Sequence, residues 1–291
     1  ATTICPAFAE KNHGGSERKT AHDADAAYAK GDYQTAYEIW LTLAAKGSYA
    51  QYSLGRLYAN GQGVAQSDRT ARDWWQKSMR DIEQSRVLLS ILLDPSDPQY
   101  TYATLHEKWQ PAAAAGDADA QYKLAILYLT GIGVPQNDTK ALIWFEKAAN
   151  QNHAAAQYQL GKIHDRSNRV PCAAAQAIQW WEKASALGNA DAQNILALRY
   201  DMGFHLTPHY PRDECRAIAL REQAAAQGHP EAQTWLAQTY MYDQPHCNLV
   251  ANRDKARALL EQAIANGGKH TREQAERVLY ALEHNGRYPS P

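Results

Sequence analysis

The chain has 291 residues, with Lys and Arg totalling 30 against 31 Asp and Glu, a net charge of −1. That length exceeds the usual single compact core, so two domains or an elongated array of small units is expected. The charge balance leaves no basic excess for a phosphate backbone, which excludes nucleic acid as an expected partner. No apolar run approaches the roughly 20 residues that a membrane-spanning helix needs, so no membrane insertion is expected.

Along the chain, "ATTICPAFAEKNHGG" comes first, and Ala7-Phe8-Ala9 has the small-x-small pattern of a signal-peptidase site. Residues 1–22 read as an N-terminal extension holding a signal-peptide remnant, and the expected location is periplasmic or secreted. A trimmed cytosolic chain is the alternative. Residues 23–47 read as a capping helix pair, with "KGDYQTAYEIW" opening its second helix.

From residue 48 onward the sequence repeats itself. Gln51, Leu54, Gly55 and Tyr58 recur as Gln121, Leu124, Ala125 and Tyr128, then as Gln157, Leu160, Gly161 and His164. Two further copies are Gln193, Leu196, Ala197, Tyr200 and Gln233, Leu236, Ala237, Tyr240. After the first step of 70 residues the copies are 36, 36 and 40 apart, so one degenerate unit is expected between Gln84 and Gly116. Offsets of 0, 3, 4 and 7 put the four residues on one stripe of a helix, called A, whose small Gly or Ala admits a close neighbour.

A second stripe at the same offsets defines a helix B in each unit. It reads Ala71, Trp74, Trp75, Ser78; Ala141, Trp144, Phe145, Ala148; Ala177, Trp180, Trp181, Ala184; Ala217, Leu220, Arg221, Ala224; and Ala256, Leu259, Leu260, Ala263. The paired tryptophans resemble a ligand-stacking box, but beside Ala at helical period they read as core. Arg221 breaks the stripe, marking either a local polar contact or a helix rotated outward. "NGQGV" (60–64) and "TGIGV" (130–134) are expected to stop helix A through Gly, and Gly47, Gly116, Gly188 and Gly228 to stop helix B. Asp68 and Asp138 are expected to cap helix B.

"DADAQYKLAILYLTGIGVPQNDTKALIWFEKAANQN" (117–152) resembles the Sel-one-like repeat, a relative of the tetratricopeptide repeat, in its Ala-x-Ala-Gln-Tyr-x-Leu, Gly-x-Gly-Val, Asp-x-x-Lys-Ala and Trp-x-x-Lys-Ala-Ala elements. The resemblance covers residues 48–268, with 269–291 as a C-terminal capping helix and tail. It weakens between Gln84 and Gly116, where the Gly turn is missing, and in the later units, which carry longer inserts. The fold expected is all-α: a right-handed α-solenoid of stacked antiparallel helix pairs, about six hairpins with capping helices.

The resemblance implies a monomeric, non-catalytic scaffold that binds another protein on a concave face lined by the A helices. Residues beside the A stripe are then the partner-binding candidates: Tyr52, Arg56, Tyr122, Lys123, Tyr158, Gln159, Lys162, Trp235 and Gln238. The alternative for the tyrosines is that they only seal the junctions between hairpins. Exported relatives imply an envelope role, more specifically an immunity protein neutralising a type VI secretion effector such as a phospholipase. The competing readings are an adaptor or host-contact factor and, behind them, a cysteine-rich hydrolase.

No catalytic residue, cofactor or metal is expected. There is no Gly-x-Ser-x-Gly, no phosphate loop and no His-Glu-x-x-His, "HEKWQ" at His106 lacking the second His. The four cysteines are Cys5, Cys172, Cys215 and Cys247, and in an exported chain a Cys215–Cys247 disulfide is the preferred pairing. Free thiols remain open, as does a zinc site that would use His205, His209 or His246 from the same connections.

Overall fold

The computed structural model describes residues 15–92, 101–166, 171–202 and 212–284. They form fifteen α-helices, and among the described residues there is no strand beyond one isolated bridge, Gln244 to Leu249. The helices are α1 (Gly15–Ala29), α2 (Tyr33–Leu43), α3 (Ser48–Asn60), α4 (Asp68–Ser78), α5 (Glu83–Leu92), α6 (Leu105–Ala114), α7 (Ala118–Thr130) and α8 (Asp138–Asn150). They continue as α9 (Ala154–Arg166), α10 (Pro171–Ala186), α11 (Ala190–Met202), α12 (Glu214–Ala226), α13 (Pro230–Tyr240), α14 (Arg253–Asn266) and α15 (Lys269–Glu283). Short 3-10 turns lie at Tyr102–Thr104 and Pro245–Cys247.

The chain divides into two compact units, residues 1–144 and 145–291, with the division inside α8. In the first, α1 packs on α2, α2 on α3, α3 on α4, and α6 on α7. In the second, each of α9 to α14 packs on the helix that follows it, and α13 also meets α15. Packing between chain neighbours is what a stack of hairpins requires, because one hairpin cannot bury its apolar stripe alone. The degenerate stretch holds two helices, α5, which packs on α4, and α6, which packs on α7, and α1 begins at Gly15, ahead of the expected capping pair.

The inner residue of each B stripe is buried as expected, but the tryptophan pairs split, Trp74 and Trp180 being only half-buried beneath Lys77 and Lys183. Trp75, Phe145, Trp181 and Leu260 are fully buried, along with the alanines that open each B stripe. Gly55 and Gly161 explain why two of these residues can be tryptophan. A Cβ on either glycine would lie 2.2 Å from the indole Nε1 of Trp75 or Trp181. That same Nε1 donates to the backbone oxygen of Tyr52 (3.2 Å) or Tyr158 (3.3 Å).

The stripe glutamine has a role that its spacing does not reveal. Each Gln side chain donates to a carbonyl near the end of the preceding helix: Gln51 to Ala44 (2.7 Å), Gln121 to Ala113 (3.1 Å), Gln157 to Ala149 (3.0 Å), Gln193 to Ser185 (3.5 Å) and Gln233 to Ala225 (3.3 Å). The last carbonyls of a helix lack intrahelical donors, so a buried amide at this place satisfies one of them in every unit.

Two cap assignments are corrected. Ser67 and Asn137, each one residue earlier than expected, accept from the backbone N–H groups of Thr70 and Lys140, while Asp68 and Asp138 lie in the first helical turn. Asp68 instead accepts from the Tyr102 backbone N–H at 3.1 Å. Gly47 is extended rather than left-handed and serves as the N-cap of α3. Gly61 and Gly131 take the left-handed conformation that ends α3 and α7.

In two units the A-stripe tyrosine meets a glutamate at a fixed distance along the chain. Tyr200 donates to Glu182 (3.1 Å) and Tyr240 to Glu222 (2.7 Å), both at a separation of 18 residues. His164 stands at this place in α9, and Glu146 is the carboxylate at the matching spacing. Burial lowers the His164 pKa below 6.5, with Glu146 opposing the shift, so the folded state binds the proton less readily than the unfolded one. Stability is therefore complete above pH 6.5 and is lost as pH falls below it toward the lowered folded value. His164→Tyr is expected to flatten this slope in urea melts between pH 5 and 7, and an unchanged slope would refute it.

Candidate functional site

In the first unit, the candidates beside the A stripe are drawn into contacts between hairpins. Tyr52 is only 7% exposed. The Arg56 Nη2 donates to Tyr28 Oη at 3.1 Å, and its guanidinium lies 4.9 Å from the Tyr28 ring and 5.9 Å from the Tyr52 ring. Beside it, Tyr49 donates to Asp25 at 2.9 Å; burial raises the Asp25 pKa, and burial together with Asp25 raises that of Tyr49 far more. Tyr122 is 8% exposed, and Lys123 pairs with Asp119 at 2.5 Å while lying 5.6 Å above the Trp109 ring. His106 is 3.0 Å from Tyr128 Oη, a contact between α6 and α7.

The second unit is different. Tyr158 is half-buried beneath Lys162, 5.5 Å from its ring, and Gln159 is buried. Trp235, on α13, is 42% exposed although both chain neighbours, Thr234 and Leu236, are buried. Gln238, one turn on, is half-buried. Tyr242, just past the helix, is 58% exposed.

Matching places on α11, forty residues earlier, hold Ile195, Leu198 and Met202, the last 52% exposed. The two helices are joined by Asn194, which donates to Glu231 at 3.2 Å. A further clamp comes from Arg199, whose Nη2 reaches both oxygens of Asp165 on α9 at 2.8 and 2.7 Å. Together they place an apolar and aromatic strip on helices whose mutual position is tied by polar bonds.

Arg221 explains the posture of Trp235. Its side chain is 4% exposed, ion-paired with Asp201 at the end of α11, and its guanidinium lies 5.2 Å from the Trp235 ring. Of the two readings of this break in the B stripe, the local polar contact is the one found. Burying an arginine is costly unless it is paired, and here a carboxylate and an indole face share that task.

Cys215 and Cys247 form a disulfide joining the first turn of α12 to the loop between α13 and α14. His246 Nε2 lies 2.6 Å from Glu214 Oε2 alongside it. Cys5, His205 and His209 lie outside the described residues, and only the backbone of Cys172 is described. Sequence reasoning missed the glutamine caps, the Tyr–Glu pairs and Asn60. Asn60 donates to Gly131 O (2.7 Å) and accepts from Gly133 N (2.9 Å), tying one turn to the next equivalent one. The recurrence of Gln and of Tyr with Glu eighteen residues before it was the available signal. No helix among the described residues is long and apolar enough to cross a membrane.

The family model of the Sel1 repeat matches residues 48–79, 118–153, 154–189, 190–229 and 230–268, together more than half of the chain. Among solved structures, a protective antigen present in uropathogenic Escherichia coli strains, displaying an SLR fold, is 25% identical with a TM-score of 0.54. The match covers 95% of this chain but 59% of that antigen. A Sel1 repeat protein from Oxalobacter formigenes is 25% identical over 94% of this chain and 91% of its own, with a TM-score of 0.48. An immunity protein from Pseudomonas aeruginosa is 21% identical over 70% of this chain and 81% of its own, with a TM-score of 0.32.

Proposed function

The chain belongs to the Sel1 repeat family, and from that membership we propose that it captures another protein on the A-helix face of its second unit. Sel1 repeat proteins are generally non-catalytic scaffolds, and their repeats mediate protein–protein interaction. The observation that carries the reading is Trp235, an exposed indole on a helix and backed by the buried Arg221. Large, rigid, amphipathic side chains of this kind give much contact area at low ordering cost, and they dominate protein interfaces. Ile195, Leu198, Met202 and Tyr242 extend the strip, with Gln238 and Lys162 at its polar border.

The partner we favour is a secreted effector enzyme, held so that its active site is covered: an immunity function toward a type VI secretion effector, for instance a phospholipase. The support is the family together with export, and export is supported by a disulfide of the kind that persists in oxidising compartments. An adaptor for envelope machinery is the competing partner class.

Affinity capture from envelope and secreted fractions, with the full chain as bait, tests both levels. Recovery of an effector whose activity the bait inhibits supports immunity, whereas a resident envelope component would replace it with the adaptor. Trp235→Ala is expected to weaken capture at least about tenfold, or about 1.4 kcal/mol, while Trp74→Ala on a B helix leaves it unchanged. Equal capture by the Trp235→Ala bait would overturn the assigned face.

A further inference from the structure

The surroundings of the disulfide are richer than a structural bond requires. Cys215 and Cys247 each offer a sulfur, His246 a ring nitrogen, and these ligand atoms all lie within 4.8 Å of one another. Glu214 adds a carboxylate already bonded to His246 Nε2 at 2.6 Å. A carboxylate holding a histidine from behind is the usual outer support of a metal-bound imidazole. Cys215 lies in the first turn of α12.

We propose that, once the disulfide is reduced, Cys215, Cys247 and His246 bind a zinc ion, with Glu214 orienting the imidazole and water in the fourth place. Zinc–sulfur bonds of about 2.3 Å and zinc–nitrogen bonds of about 2.0 Å set tetrahedral ligand atoms roughly 3.3–3.8 Å apart. The His246 nitrogen lies within 4.8 Å of both sulfurs and must close by up to about 1.3 Å to reach that spacing. The two sulfurs must separate by under about 2 Å, and Cys247 ends the short 3-10 turn Pro245–Cys247, outside any α-helix.

The balance is simple. A dithiol reductant gives two electrons and two protons to the disulfide and becomes a disulfide itself. Zinc then displaces the two thiol protons, leaving a site of two thiolates and one neutral imidazole. The same four residues thus clasp the start of α12 to the insert before α14 in either redox state, by a covalent bond or through a metal. This inference does not rest on the proposed partner or on the location of the protein, and its failure would leave both untouched.

The test uses the full chain carrying Cys5→Ser and Cys172→Ser, so that only this cysteine pair remains. After reduction with a phosphine, which is removed before use, the protein is titrated anaerobically with Co²⁺ and then Zn²⁺. Expected is 1:1 binding with thiolate-to-cobalt charge transfer and tetrahedral d–d bands, displaced by zinc, and no binding by the oxidised protein. Glu214→Gln should weaken zinc by about 10–100-fold; His246→Ala should weaken it by at least tenfold and shift the d–d bands. Absence of the charge-transfer band, or its persistence in Cys247→Ser with unchanged far-ultraviolet circular dichroism, would overturn the proposal.

Discussion

Gly55→Ala is expected to destabilise the first unit by about 3–5 kcal/mol, the combined cost of overpacking and of a lost buried hydrogen bond. At an ordinary helical site the same change would stabilise by up to about 1 kcal/mol, so the sign alone is informative. The reason is local. The new methyl would meet Trp75 Nε1 at 2.2 Å, and moving the ring breaks its bond to the Tyr52 carbonyl. Gly161→Ala should do the same in the second unit through Trp181 and Tyr158.

The remaining units supply the rescue. Where the A helix carries Ala, at Ala125, Ala197 and Ala237, the matching B-helix residue is Phe145, Arg221 or Leu260 rather than Trp. Gly and Trp are thus two halves of one packing choice. The double variant Gly55→Ala with Trp75→Leu reproduces the pairing of the last unit, so it should recover part of the loss despite removing a buried tryptophan. Urea midpoints of the single and double variants measure the coupling directly. Additive losses would show that the glycine matters for some reason other than the indole.

Asp201→Ala is the second large effect expected, at about 3–5 kcal/mol, because it strands Arg221, whose side chain is 4% exposed. Removing the other partner should cost far less. Arg221→Leu leaves Asp201, 28% exposed, able to regain water, and puts at position 221 the residue found at the matching Leu260. Its expected cost is under about 1.5 kcal/mol. Equal losses for the two variants would mean that burial of the guanidinium is not what sets the energetics.

The functional readout separates from stability here. Arg221→Leu takes the cation from behind Trp235, an interaction of about 0.5–2 kcal/mol. Tryptophan fluorescence should report a changed environment, and partner capture should weaken while the fold persists. Binding would then be seen to depend on the residue at this position more than stability does.

Much of this protein could be read in advance. The two stripes at offsets 0, 3, 4 and 7 give the helices and the burial of Trp75 and Trp181, though not the half-exposure of Trp74 and Trp180, since a 3.6-residue period decides which residues share a face. The Cys215–Cys247 pairing was foreseen too, although its neighbours Glu214 and His246 became a cluster only when the loop was folded back. Capping slipped by one residue at Asp68 and Asp138, because Ser67 and Asn137 can do the same work and sequence alone does not decide between adjacent acceptors.

Sequence by itself determined the repeat, the all-helical architecture and the list of residues flanking the A stripe. Tertiary structure decided which of those flanking residues meet solvent. Ser53, Gln159 and Trp235 all lie two residues after a stripe glutamine, yet the first two are under one-tenth exposed and the third is 42% exposed. Helical period fixes the direction in which a side chain leaves its helix, but exposure depends on what the neighbouring elements set against it. At Trp235 that neighbour is a buried arginine held by Asp201, a contact between positions fourteen and thirty-four residues away that no single helix encodes.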